Sequence, residues 1–168
     1  MLYICKEIQD LLTESGKTLC TAESCSGGRI AALLTSVAGS SEYFRGGIVS
    51  YQTEVKSAVL QVPPHIINIY GVVSHETADA MRSCACRLFQ ADYAISITGY
   101  AGPTGGTADD PVGTVYISVG TQDDGETHRV IGNGQCRTEI QDDVAHCALQ
   151  LFLNYIRRRN GISAADTD

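Results

Sequence analysis

The chain has no run approaching the ~20 apolar residues that a membrane-spanning helix needs. Its opening residues, MLYICKEIQD, carry Lys6, Glu7 and Asp10 where a secretory leader would be apolar. A soluble cytoplasmic protein without a membrane partner is therefore expected. Positive charge is also scarce: 12 Lys and Arg stand against 19 Asp and Glu, a formal charge of −7. Nucleic-acid binding needs clustered cations to neutralise phosphates. The one basic cluster, Arg157-Arg158-Arg159, closes a helical pattern, where it complements the helix dipole. No nucleic-acid partner is expected.

Cysteine is plentiful, but no disulfide framework follows from it. The seven thiols are odd in number and scattered, mostly within apolar patterns (Cys5, Cys20, Cys84, Cys147), as suits reduced, buried thiols. Cys84-Ala85-Cys86 lacks the spacing of a zinc or redox motif. Neither a metal nor another cofactor is expected. Long polar low-complexity segments, internal repeats and linkers are absent as well, and hydrophobic residues make up 43% of 168. That composition and length suit one domain with a full core. The domain is expected over residues 1–159, with a small, polar, frayed tail over 160–168.

What is present alternates between helical and strand patterns. Ile4, Ile8, Leu11 and Leu12 predict a helix over 2–15, stopped by Gly16. A short strand at 18–22 then runs through Glu23-Ser24-Cys25-Ser26-Gly27-Gly28 into a helix carrying Ile30, Leu33, Leu34 and Val37. A strand follows at 46–51, then short helices at 54–61 and 64–69. Ser74 caps the next helix, with Ala78, Met81, Ala85 and Leu88 along one face. Residues 92–98 read as a strand, and 113–120 with 126–132 as a hairpin around Asp123-Asp124-Gly125. Thr138-Glu139-Ile140-Gln141 has the form of a capping box opening a long last helix. This order predicts a single-domain layered α/β/α fold with a mixed central sheet. Ligands of open α/β sheets sit at strand ends, so the loops 23–28, 50–56 and 99–113 are the candidate site.

The first of these loops matches neither G-x-x-x-x-G-K-[ST] nor G-x-G-x-x-G, so it is not a recognisable nucleotide-phosphate motif. Its glycines before a helix still suit an anion or a developing oxyanion. A serine nucleophile there needs a base. The four histidines are spread over helices and a hairpin strand and do not support a Ser-His-Asp site. Lysine does the same work when desolvation lowers its pKa. Lysine is rare here: beyond Lys6 and Lys17 there is only Lys56, beside the second glycine-started strand.

The segments TAESCSGG (21–28), VAGSSEYFRGGIVSYQTEVK (37–56), YGVVS (70–74), ADYAISITGYAGPTGG (91–106) and PVGTVYISV (111–119) together resemble the CinA C-terminal domain family. That family includes the stand-alone nicotinamide-nucleotide amidase. The resemblance implies hydrolysis of nicotinamide mononucleotide (NMN) to nicotinate mononucleotide and ammonia in pyridine-nucleotide salvage, by a homo-oligomer. It places the nucleophile of A-E-S-C-[TS]-G-G on Ser24 and the pair in [ST]-Y-x-x-x-x-K on Tyr51 and Lys56. The arginine that opens the last helix falls on Arg137. Lys56 would then take the Ser24 proton directly or through Tyr51, and backbone N–H groups around Cys25 to Gly28 would hold the oxyanion. Arg137 would bind the substrate phosphate or hold the loops together.

The expected substrate-binding set is Cys25, Ser26, Gly27, Gly28, Gly99, Ala101, Gly102, Gly106 and Arg137, with Cys25 serving packing rather than nucleophilic attack. Two departures stand out. The family loop usually reads G-I-A-G-P-D-G-G, and this chain has Tyr100 and Thr104 in place of the Ile and the Asp. Before the last helix the usual G-D-R is replaced by Gly134-Gln135-Cys136-Arg137. A non-catalytic nucleotide-binding module and an amidase for a related pyridine amide are the alternatives.

Overall fold

The computed structural model describes residues 2–161. Its elements are α1 (Leu2–Ser15), β1 (Leu19–Glu23), α2 (Arg29–Thr35), β2 (Phe44–Val49), α3 (Thr53–Ala58), α4 (Pro64–Tyr70), α5 (His75–Phe89), β3 (Tyr93–Gly99), β4 (Thr114–Gly120), β5 (Gly125–Ile131) and α6 (Arg137–Arg159). The five strands form one sheet in the order β2-β1-β3-β4-β5. β1 runs parallel to β2 and β3, whereas β3/β4 and β4/β5 are antiparallel. The layered α/β domain with a mixed sheet expected from the sequence is the fold observed.

Strand side chains alternate between faces, and that alternation sorts the core into two layers of different character. On one face Leu19, Ile95, Ile97, Val115, Ile117 and Val119 meet Ile8 and Leu12 of α1, Ile30 and Leu34 of α2, and Val144, Ala148 and Phe152 of α6. On the other face the strands present small residues, Cys20, Ala22 and Ala94, against Met81, Cys84 and Ala85 of α5. Two polar side chains on this face are bonded: Ser96 Oγ donates to the Ala78 carbonyl (2.6 Å) and Thr98 Oγ1 to that of Val72 (2.9 Å). Hydroxyls bonded in this way remove the cost of burying them and let α5 lie close to the sheet.

Three details differ from the sequence pattern. Leu88 is 42% exposed; the apolar contact at the end of α5 is made instead by Phe89, whose ring lies against Gly46. β2 ends at Val49, which leaves Ser50 and Tyr51 beyond the strand rather than in it. The capping box at Thr138 does not form, because α6 starts two residues earlier, with Cys136 as N-cap. Glu139 reaches back to accept from Gln135 N (2.7 Å), Thr138 Oγ1 pairs with Cys136 Sγ, and Gln141 turns to the site. The Ser74 cap does form, accepting from Thr77 N at 3.1 Å. Of the expected tail, Asn160 caps α6; residues 162–168 lie outside the described residues. No helix among the described residues is long and apolar enough to cross a membrane.

Candidate active site

The site begins where the parallel strands β1 and β2 end side by side. Ser50 N donates to the Glu23 carbonyl (2.8 Å), extending the β1/β2 pairing by one bond past the strand and fixing the chain that enters α3. Lys56 sits on the inner side of that short helix with no exposed surface. Its Nζ lies 2.9 Å from Ser24 Oγ and 2.6 Å from the Ser50 carbonyl. Burial disfavours the ammonium form and lowers the Lys56 pKa to about 8. A lysine so placed is available as a neutral amine near physiological pH, in direct reach of a serine hydroxyl. Two residues separated by more than thirty positions are thus brought together as the sequence pairing anticipated.

The turn that presents Ser24 is organised from within by Glu23. This carboxylate is 1% exposed. Oε2 accepts from Ser26 Oγ (2.7 Å), Gly28 N (3.0 Å) and Ile30 N (3.1 Å), and Oε1 from Ala31 N (2.8 Å). The charge therefore sits at the positive end of α2, where it is stabilised and where it satisfies amides that begin the helix. Gly27 and Gly28 have φ of 65° and 93°, a region that favours glycine, and this lets the chain wrap around the carboxylate. From the sequence, Glu23 has no role beyond hydrogen bonding that fixes the turn, and that is what its carboxylate does here.

This arrangement narrows the oxyanion expectation. Gly28 N is committed to Glu23, and Gly27 N donates to the Ser24 carbonyl at 3.1 Å. Among the described residues, the N–H groups of Cys25 and Ser26, like that of Ser24, have no hydrogen-bond partner in the turn. The carbonyls of the same two residues are anchored, Cys25 by Gln141 Nε2 (2.7 Å) and Ser26 by Arg29 Nη1 (3.1 Å). Cys25 itself is 4% exposed and its thiol is pushed up to about 12 by burial. It packs in the core and is not a thiolate at neutral pH.

A cavity of about 210 Å³ opens beside Ser24. Its wall includes Cys25, Tyr51, Gly99, Tyr100, Ala101, Thr104 and Arg137, whereas Ser26, Gly27, Gly28, Gly102 and Gly106 lie outside it. Gly102 lines a second cavity of about 300 Å³, which shares Ala101 and Arg137 with the first. The two cavities abut at these residues, and the second reaches the lower end of the roughly 300–1,000 Å³ usual for ligand sites. Gly106 shapes the loop: its φ is 82°, and a Cβ there would meet Val112 N at 2.8 Å.

Arg137 opens α6 and crosses the cavity mouth. Nη1 donates to the Gly102 carbonyl (2.6 Å) and Nη2 to the Tyr51 hydroxyl (2.5 Å). It therefore ties the 99–113 loop to the segment after β2 while still facing the cavity. The Tyr51 hydroxyl is held by Arg137, and Lys56 contacts Ser24 directly, so no tyrosine bridge separates base from nucleophile.

Comparison with known proteins agrees with this architecture. The CinA C-terminal domain family matches residues 3–156. The chain belongs to that family. A CinA-like protein of Geobacter sp. (strain M21) is 50% identical over 129 residues, covering 77% of this chain and 28% of the relative. A putative competence-damage inducible protein of Desulforudis audaxviator is 39% identical over 154 residues, covering 92% of this chain and 37% of the relative. The chain thus spans about a third of the length of these curated relatives. Among solved structures, a CinA superfamily protein from Klebsiella pneumoniae superposes with a TM-score of 0.88 at 30% identity, covering 94% of this chain and 98% of the other. A competence/damage inducible protein from Agrobacterium tumefaciens does so with 0.86 at 35% identity, covering 91% and 94%.

Proposed function

We propose that this CinA-family domain is an amidohydrolase that converts NMN to nicotinate mononucleotide and ammonia. The observation that carries the reading is the buried Lys56 amine 2.9 Å from Ser24 Oγ. In its neutral form Lys56 takes the Ser24 proton as Oγ attacks the carboxamide carbon. The oxyanion of the tetrahedral intermediate faces the free N–H groups of Cys25 and Ser26, donors of a kind worth about 2.7–4 kcal/mol each in well-studied hydrolases. The Lys56 ammonium then returns its proton to the leaving nitrogen. Ammonia departs, and the nicotinoyl group stays on Ser24 as an ester. Water, deprotonated by the same amine, attacks that ester; nicotinate mononucleotide leaves with its ribose phosphate intact, and Ser24 regains its proton.

Tyr51 and Arg137 face the substrate in this scheme and do not relay the proton. Arg137, already spanning two loops, holds them in register and presents a cation to the phosphate end of the mononucleotide. The setting that accompanies this reading is pyridine-nucleotide salvage in the cytoplasm, with the domain working as a homo-oligomer.

Incubating the purified protein with NMN while following ammonia and nicotinate mononucleotide tests the reading. Equimolar products are expected from the parent and none from Ser24→Ala or Lys56→Ala. Binding without turnover in the parent would instead favour a nucleotide-binding module, and full turnover in Ser24→Ala would remove the serine mechanism.

A further inference from the structure

The wall of the cavity beside Ser24 holds one guanidinium, Arg137, and no carboxylate. A pyridine ring substituted at its nitrogen is a flat cation, and placing it in such a cavity brings positive charge near positive charge. The groups left to attract it are aromatic faces, whose quadrupole draws cations within about 6 Å of the ring centre. Two aromatic residues line the cavity, Tyr51 and Tyr100. The Tyr51 hydroxyl is already bonded to Arg137, which turns that residue toward the cationic side of the site.

Tyr100 is differently placed. Its backbone is tied to the start of β4, N donating to the Thr114 carbonyl (2.9 Å) and O accepting from Gly113 N (2.6 Å). Its ring is seated on Gly105: a Cβ built there would lie 3.2 Å from Cδ1, 3.8 Å from Cε1 and 4.0 Å from Cγ. Glycine at 105, with φ of 94°, leaves room for the Cδ1 edge of the ring. One side of the ring is thus supported by its own loop, and the residue borders the cavity that contains Ser24. An aromatic surface fixed by its backbone loses little freedom when a flat ligand stacks on it.

We propose that Tyr100 is a specificity-determining residue that reads the flat, positively charged pyridinium ring of the substrate by stacking against it in the cavity beside Ser24. The choice of a pyridinium ring rests on the function proposed above. The discrimination it predicts is between a quaternised pyridine and its uncharged counterpart of the same shape, a distinction the apolar parts of the wall, Val72 and Val73, cannot make.

The test uses two probes that lack the hydrolysable amide, 1-methyl-3-acetylpyridinium and neutral 3-acetylpyridine, titrated by calorimetry into the intact protein. The parent is expected to bind the cation roughly tenfold more tightly, the scale of a cation–π contact. Tyr100→Phe keeps that preference because the face remains, and Tyr100→Leu loses it. With NMN as substrate, Tyr100→Leu raises KM about tenfold with kcat within about twofold, the pattern of lost ground-state binding. Equal affinity of the parent for both probes, or a preference that survives in a folded Tyr100→Leu protein, overturns the proposal. If the parent does not hydrolyse NMN yet prefers the cation through Tyr100, the amidase reading fails and this one stands. Normal NMN kinetics in Tyr100→Leu have the opposite consequence.

Discussion

Two glycine-rich loops wall the cavity, and they are held in opposite ways. The loop from Glu23 to Gly28 is short and fixed from inside: a buried carboxylate gathers three backbone amides and a hydroxyl around itself. The loop from 99 to 113 is longer and fixed from outside. Arg137 holds its Gly102 carbonyl, and Asp110 is gripped by Arg129 Nε (2.9 Å) and the Tyr116 hydroxyl (3.2 Å) from the neighbouring hairpin. A buried, fully bonded acid is costly to disturb, whereas partly exposed ion pairs give way at small cost. The first loop is therefore suited to aiming a nucleophile and the second to shaping itself around a substrate. Damage to the first should appear in kcat, and damage to the second in KM.

Substitutions ordered by expected effect sharpen that contrast. Ser24→Ala should lower kcat for NMN by on the order of 10⁴-fold or more with little change in KM, as removal of a nucleophile does. Lys56→Met should lower kcat by on the order of 10³-fold, within the range for a lost general base. The same residue sets two pH dependences. kcat/KM of the parent should rise with pH and level off above about 8, where Lys56 becomes neutral. Since its folded pKa lies below the ordinary 10.5, charging Lys56 opposes folding; that penalty grows as pH falls from 10.5 to about 8 and is constant below. Lys56→Met should therefore raise Tm more at pH 7 than at pH 10.

Glu23→Ala should come next. Stranding buried donors costs about 1–3 kcal/mol each, so urea unfolding should show the loss of at least one such increment, and surviving protein should lose kcat more than affinity. Arg137→Ala should raise KM about tenfold, the scale of one lost charge-assisted bond, with a smaller change in kcat. Equal kcat losses in Glu23→Ala and Arg137→Ala, read from the same initial-rate series, would erase the distinction between the loops.

Much of this was readable from the amino acids, for a definable reason. Helices and strands announce themselves through local periodicity, and the alternation in Ala94 to Ile97 maps directly onto the two core layers. The candidate residues Ser24, Tyr51, Lys56 and Arg137 follow from motif resemblance, and the structure places Ser24, Tyr51 and Arg137 in the wall of one cavity with Lys56 buried behind Ser24. What escaped is what depends on contacts across the chain. Hydrogen bonding that fixes the turn is the default reading of Glu23, but its particular partners, residues three to eight positions ahead, show only in the fold. The start of α6 was misread because Cys136 is not a common cap and Thr138 is, while Gln141 serves a carbonyl 116 positions away. Leu88 fits a helical stripe, yet Phe89 takes the contact against Gly46.

The most direct test of the central claim is the pH dependence of Ser24 acylation. An activated nicotinoyl ester serves as acyl donor, and residue-resolved mass spectrometry reads the product. A neutral Lys56 in contact with Ser24 predicts a single nicotinoyl group on Ser24, formed at a rate that rises through about pH 8 and collapses in Lys56→Met. A nicotinoyl group on Cys25, or a Ser24 acylation rate that Lys56→Met leaves unchanged, would contradict it.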